Sequence, residues 1–198
     1  FQAETSPISI NLGKEVKVLA EDEPPTRVKF DKIPLLKPAF KEGGTITAAN
    51  SSPLTDGAAA VVLMTTAKAK EHHLTPRAII RGHVTYSHDP DLFTLAPINA
   101  IKVLLEKINW KLEDVNLFEI NEAFAFVPMA VIKELKLDIN KVNIHGGACA
   151  LGHPIGASGT RIIVTLLHAL EKYNLQRGIA TLCIGGGEAT AIAIERRE

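Results

Sequence analysis

Cysteine is scarce: the 198 residues hold two, Cys149 and Cys183. A small secreted disulfide scaffold would carry more, so this usage points to a reducing, intracellular compartment. A cytoplasmic location is expected, or a mitochondrial one in a eukaryote. An excess of one charge is also missing. Lys+Arg and Asp+Glu both number 22, and the formal net charge is zero. That argues against a dedicated nucleic-acid binder, which carries a basic excess, but it leaves room for a local basic pocket. No stretch approaches the roughly 20 apolar residues of a membrane span. The longest apolar run, AAAVVLM from Ala58 to Met64, suits a buried strand. The sequence shows no signal or transit peptide, no short-period repeat and no low-complexity segment. It opens on Phe1 instead of methionine, as expected of a processed precursor or a piece of a longer protein.

Hydrophobic residues make up 46% of the chain, enough for the core of one ordinary domain. Residues 1–44 are charged and proline-rich and predict an exposed excursion with short extended pieces. From Thr45 onward the texture changes. TITAAN and AAAVVLM read as strands on either side of the turn SSPLTDG, TAKAKEHH as a short helix, and residues 78–88 as a strand. Ile98, Ile101, Leu104, Leu105 and Ile108 repeat at helical spacing after Pro97. LFEI reads as a buried strand, residues 122–135 as an apolar helix with Pro128 near its start, and VNI as a strand running into a glycine loop. Ile162, Ile163, Leu166, Leu167 and Leu170 mark another helix. IATLCIG and ATAIAIER flank GGGE as an antiparallel hairpin. Strands alternating with helices predict a layered α/β domain.

Chemistry concentrates in three places. The stretch Ile144 to Arg161, IHGGACALGHPIGASGTR, holds five glycines, two histidines and one cysteine. Its glycine spacing fits neither the dinucleotide fingerprint nor a P-loop. Bare backbone there lets the chain pass close to a ligand. His153, held between Gly152 and Pro154, is suited to donate to an oxyanion or to deprotonate a thiol. A structural loop with a hydrogen-bonded histidine explains the composition equally well. His145, Cys149, His153 and Cys183 are also four zinc-ligand types, though at no standard spacing, and a small buried thiol is the plainer reading of Cys149. In TLCIGGGE, Cys183 precedes three glycines, an arrangement fit for a nucleophilic or acid/base thiol beside free N–H groups, or for a buried cysteine at a hairpin. In FEINEAFAF, Asn121 follows a strand, where it caps the next helix or fixes a catalytic water. Glu122 compensates the helix start or holds another polar group. All these groups sit at the C-terminal ends of expected strands, where ligands gather in α/β sheets.

NEAF, GGACALGHPIGASG and CIGGG, in this order, resemble the three C-terminal motifs of the thiolase family. GTITAANSSPLTDGAAAVVLM is similar to the family's CoA-contacting segment. The resemblance covers nearly all of this chain but only the C-terminal half of a thiolase, with residues 1–44 as the end of the loop domain and 45–198 as the C-terminal domain. It implies a layered α/β/α core that pairs with a similar N-terminal half. It also implies an acetyl-CoA C-acetyltransferase reaction: CoA-dependent cleavage of a 3-ketoacyl-CoA and the reverse Claisen condensation of acetyl-CoA. By resemblance, Cys183 is the acid/base thiol, and His153 activates the nucleophilic cysteine and helps form one oxyanion hole. Asn121 holds that hole's water, and the Gly185 N–H serves a second hole. Ser52, Leu54, Ala123 and Phe124 match the CoA pantetheine tunnel. The family's nucleophilic cysteine lies in the N-terminal half and has no counterpart here. The chain alone is therefore expected to be inactive and to need that half as partner, in a dimer or tetramer. FTLAPINAI is closer to the acetoacetyl-CoA type of thiolase. That type can carry a potassium ion, matched here by backbone at Ala48, Ala49, Ser51 and Cys149, although its tyrosine lies outside this chain. No other cofactor is implied. The competing reading keeps the fold as a non-catalytic CoA-binding or assembly subunit.

Overall fold

The computed structural model describes residues 1–197. In chain order it contains a hairpin of β1 (Ile8–Asn11) and β2 (Val16–Leu19), then α1 (Glu23–Thr26), α2 (Thr66–Glu71), β3 (Ala78–Ser87) and α3 (Ala96–Ile108). These are followed by β4 (Leu117–Ile120), α4 (Phe126–Leu135), α5 (Ala148–Leu151), α6 (Ser158–Lys172), β5 (Arg177–Ile184) and β6 (Glu188–Arg196). The main sheet runs β3-β6-β5-β4. β6 is antiparallel to both of its neighbours, and β4 is parallel to β5.

The faces of this sheet follow from the two-residue period of its strands. Phe118 and Ile120 of β4, Ile179 and Cys183 of β5 and Ala189, Ala191 and Ala193 of β6 join one core with Ile101, Leu104 and Leu105 of α3 and Val127 and Val131 of α4. The alternate residues Leu117, Ala180 and Ile194 join a second core with Ile162, Leu166, Ala169 and Leu170 of α6. The sheet is thus sandwiched between α3 with α4 on one side and α6 on the other, giving the layered α/β/α architecture. α3 and α4 stop where Asn109 and Lys136 turn left-handed at φ 54°, the usual device for closing a helix C-terminus.

Most of the elements expected from the periodicity form, including the closing β5–β6 hairpin. Three do not. TITAAN becomes a 3-10 turn at Ala48–Asn50, because the Thr47 carbonyl takes both the Asn50 N–H and the Ser51 hydroxyl. AAAVVLM joins no sheet, with Val62 86% exposed, since no strand among the described residues pairs with it. VNI shrinks to one bridge, Val142 to Phe118. Asn143 turns left-handed at φ 47°, and its side chain takes over the pairing by accepting the Ile120 N–H (2.7 Å) and donating to the Ile120 carbonyl (2.8 Å).

Candidate active site

Four elements meet at the C-terminal ends of β4 and β5. β4 delivers Asn121, whose side chain is fully buried and whose N–H donates to the Thr181 carbonyl of β5 at 3.0 Å. Asn121 is not a helix cap, as its place after a strand suggested. α4 begins only at Phe126, because the intervening residues are drawn onto the segment before α2. There the Ser52 N–H and hydroxyl both donate to the Ala123 carbonyl at 3.1 Å, and the Ala125 N–H reaches the Asn50 carbonyl at 2.9 Å. Two residues beyond Thr181, on the same face of β5, stands Cys183, 7% exposed. Gly185 follows in the exposed β5–β6 turn, with open space where a Cβ would stand.

The glycine loop brings His153 to Asn121. Gly152 adopts φ +100°, and a Cβ on it would collide with the Thr55 side chain at 2.3 Å, so only glycine lets the loop close on residues 52–55. The His153 N–H then donates to the Pro53 carbonyl at 2.9 Å. On the ring, Nε2 lies 3.5 Å from Asn121 Nδ2 and Nδ1 lies 2.5 Å from Ser158 Oγ. Glu122 rivets the same loop from the other side. Its carboxylate accepts the Cys149 N–H (3.0 Å) and Asn143 Nδ2 (3.2 Å), and a Cβ on Gly147 would fall 2.6 Å from its carboxyl carbon. Glu122 therefore compensates not the start of α4, the helix that follows it in the chain, but the first turn of α5 through the Cys149 N–H, and it holds the Asn143 amide as well.

Electrostatics sort the candidate groups. Burial, with a smaller contribution from Arg161, lowers the His153 pKa and favours the neutral imidazole that a base requires. Burial pushes the Cys183 thiol up to about 11, so in this chain it rests as a protonated thiol, the acid form of an acid/base pair. Cys149 is pushed up to about 12 by burial and by Glu122. Its thiol faces the Glu122 carbonyl, and it is half-buried, not the fully buried cysteine of the plainer reading. Asn121 Oδ1 is buried without a hydrogen-bond partner among the described residues, leaving an acceptor for a water.

The zinc reading fails. Among the described residues no three His, Cys, Asp or Glu side chains come together as a ligand set. His145 faces Tyr173 and Phe1 instead. Of the CoA-tunnel residues, Ser52, Ala123 and Phe124 come together, and Phe124 stacks on Phe126 at 5.6 Å between ring centroids with Phe40 on its edge. Leu54 is 82% exposed. Ala48, Ala49 and Ser51 share one short turn that bridges to Phe124 through Ser51, and Cys149 meets the same 121–124 segment at Glu122. Sequence reasoning passes over Ser158 and Thr181. Ser158 sits at the first residue of α6, where a serine reads as a cap, and only the turn at Pro154 reveals that it faces His153.

Comparison with known proteins agrees with this geometry. The family model described as "Thiolase, C-terminal domain" matches residues 74–196 and "Thiolase, N-terminal domain" matches residues 1–67. A probable acetyl-CoA acetyltransferase of Dictyostelium discoideum is 50% identical over 187 residues, 94% of this chain and 45% of that protein. An acetyl-CoA acetyltransferase of Cupriavidus necator is 51% identical over 168 residues, 85% of this chain and 43% of that protein. The crystal structure of the Bacillus anthracis acetyl-CoA acetyltransferase superposes with a TM-score of 0.93 at 47% identity, covering 97% of this chain and 49% of that one. Human mitochondrial 3-ketoacyl-CoA thiolase gives 0.87 at 35% identity, covering 96% and 49%. The chain spans about half the length of the curated relatives it matches. On its motifs, its fold and these matches, the chain belongs to the thiolase family.

Proposed function

We propose that this chain supplies the proton-handling half of an acetyl-CoA C-acetyltransferase site, and that the nucleophilic cysteine comes from a thiolase N-terminal half. The single observation that carries the reading is the Asn121–His153 pair at 3.5 Å, whose Asn121 Oδ1 has no partner among the described residues, together with a buried thiol near the end of β5. In cleavage, His153 Nε2 takes the proton of the nucleophilic thiol, and the thiolate attacks the 3-keto carbonyl of the ketoacyl-CoA. The Gly185 N–H donates to the oxyanion that forms. The bond between C2 and C3 then breaks. The released electron pair becomes the enolate of acetyl-CoA, and the Cys183 thiol protonates it. An incoming CoA thiol gives its proton to the Cys183 thiolate and attacks the acyl-enzyme, and the displaced nucleophilic cysteine thiolate recovers its proton from His153. Condensation runs the same steps in reverse, and in both directions the acetyl-CoA enolate oxygen is held by His153 Nε2–H and by a water on Asn121.

Ser52, Ala123 and Phe124 supply a tunnel wall with one polar anchor for the pantetheine arm, and acetyl-CoA and acetoacetyl-CoA are the substrates this reading favours. A potassium ion on the carbonyls of Ala48, Ala49, Ser51 and Cys149 would brace that wall. The test uses a protein in which this chain is joined to a thiolase N-terminal half. Cys183→Ala there abolishes condensation yet still permits acylation of the nucleophile by a thioester. Equal loss of both steps would count against the acid/base role.

A further inference from the structure

We infer that Ser158 is a positioning residue that fixes the tautomer of His153, keeping the proton on Nδ1 and the lone pair on Nε2. The inference rests on the acyl-transfer reading above, in which Nε2 must carry the lone pair that takes the thiol proton, exchanging its long contact with Asn121 Nδ2 (3.5 Å) for that proton. It follows from counting donors. Asn121 Nδ2 has hydrogens and no lone pair to offer, and it faces Nε2 at 3.5 Å. The Ser158 hydroxyl has one hydrogen, which points to the Pro154 carbonyl at 3.1 Å, so its oxygen turns lone pairs towards Nδ1 at 2.5 Å. One direction then runs through the whole chain of groups. Asn121 donates to Nε2, Nδ1–H donates to Ser158, and Ser158 donates to Pro154.

The opposite direction is also self-consistent along the chain, but it fails at Asn121. With Nε2 protonated, Asn121 must turn over so that Oδ1 accepts. Nδ2 then occupies the place where Oδ1 now lies buried without a partner among the described residues. Orphaned buried N–H groups are rarer than under-used carbonyl oxygens. The turned-over amide would also spend Oδ1 on the ring. A water that donates one hydrogen to an oxyanion needs an acceptor for its other hydrogen, and Oδ1 is that acceptor. Ser158 is 1% exposed, so bulk water has no room to take over its bond to Nδ1. Its place is fixed by the first turn of α6, where the Ala157 and Ser158 N–H groups anchor on the same Pro154 carbonyl at 2.8 and 2.9 Å.

The experiment reads the tautomer directly, by ¹⁵N–¹H correlation of the histidine rings in the ¹⁵N-labelled 198-residue chain. His153 is expected to show a protonated Nδ1 and an unprotonated Nε2. Ser158→Ala should release this preference towards Nε2–H, the form an unrestrained imidazole side chain favours, and Ser158→Thr, which keeps the hydroxyl, should retain it. If Ser158→Ala does not fold, Ser158→Cys, a poor acceptor, takes its place. In the chain joined to a thiolase N-terminal half, the same loss of hydroxyl should slow acylation of the nucleophile about 100-fold, the lower end of what general acid–base catalysis supplies, with little change in KM. A wild-type His153 protonated on Nε2 would overturn the assignment. So would a tautomer unmoved by Ser158→Ala, or one that moves with no loss of acylation rate. If the joined protein shows no thiolase reaction at all, the reaction reading falls, while the ring spectrum still decides the tautomer.

Discussion

At the scale of single residues, the site is surrounded by polar groups that the fold has buried deliberately close together. Glu119 is the extreme case. It is 2% exposed and lies on the same face of β4 as Leu117, towards α6. Burial pushes its carboxyl up to about 8, with Arg161 pulling the other way and Glu4 and Glu122 adding to the rise. The sign of the linkage follows. Between the ordinary value of 4.5 and about 8 the unfolded chain is ionised there and the folded chain is not, so the folded state binds the extra proton. Stability therefore falls as pH rises through that window. Glu119→Gln is expected to raise the denaturation midpoint more at pH 8 than at pH 5, and to flatten the decline between them. An equal effect at both pH values would show that the carboxyl stays ionised. The sequence displayed Asn121, His153 and Cys183 because they stand in short contiguous motifs. It hid Ser158, because a partner five residues ahead becomes a neighbour only once Pro154 has turned the chain, and it hid the pairing of Glu122 with Cys149, because those groups come from different loops.

At the scale of elements, the site is positioned by how tightly β4 and β5 are held between the two helical layers. The contact of β5 with α6 is the closest of these. A Cβ on Gly178 would fall 2.7 Å from Leu166 Cδ1, and Leu166 is fully buried. Gly178→Ala should therefore overpack this layer and cost about 1–3 kcal/mol in chemical denaturation. A neutral substitution would show that α6 can slide to make room. β5 was legible as a short, nearly continuous apolar run in IATLCIG and α6 as a stripe of period 3.6, which is why both elements appear where expected. AAAVVLM carries an equally good strand signal and yet makes no strand. A strand's hydrogen bonds are satisfied by a neighbour, so composition announces the element without supplying its partner. VNI fails for a local reason, because the Asn143 amide replaces a ladder that would otherwise have continued.

At the scale of the whole molecule, the chain presents a finished α/β/α layer and an unfinished face. Leu54, Val62 and Leu63 are among its most exposed apolar side chains, and all three lie in the segment that matches the thiolase N-terminal domain. Backbone amides of residues 58–64 should exchange rapidly in this chain and become protected when a thiolase N-terminal half is joined to it. Unchanged exchange would mean that the run packs against nothing in that half. The architecture is consistent with the division of labour proposed for the reaction: the layer that is complete here carries Cys183, His153 and Asn121, the residues to which that proposal gives the acid/base and oxyanion roles. The most direct test of that claim is exchange of the acetyl-CoA methyl protons with deuterated solvent, followed by NMR in the joined protein and its Cys183→Ala variant. Exchange is expected in the parent, and a loss on the order of 10²- to 10⁴-fold in the variant, with acetylation of the nucleophile retained. Exchange at the parental rate without the Cys183 thiol would contradict that claim.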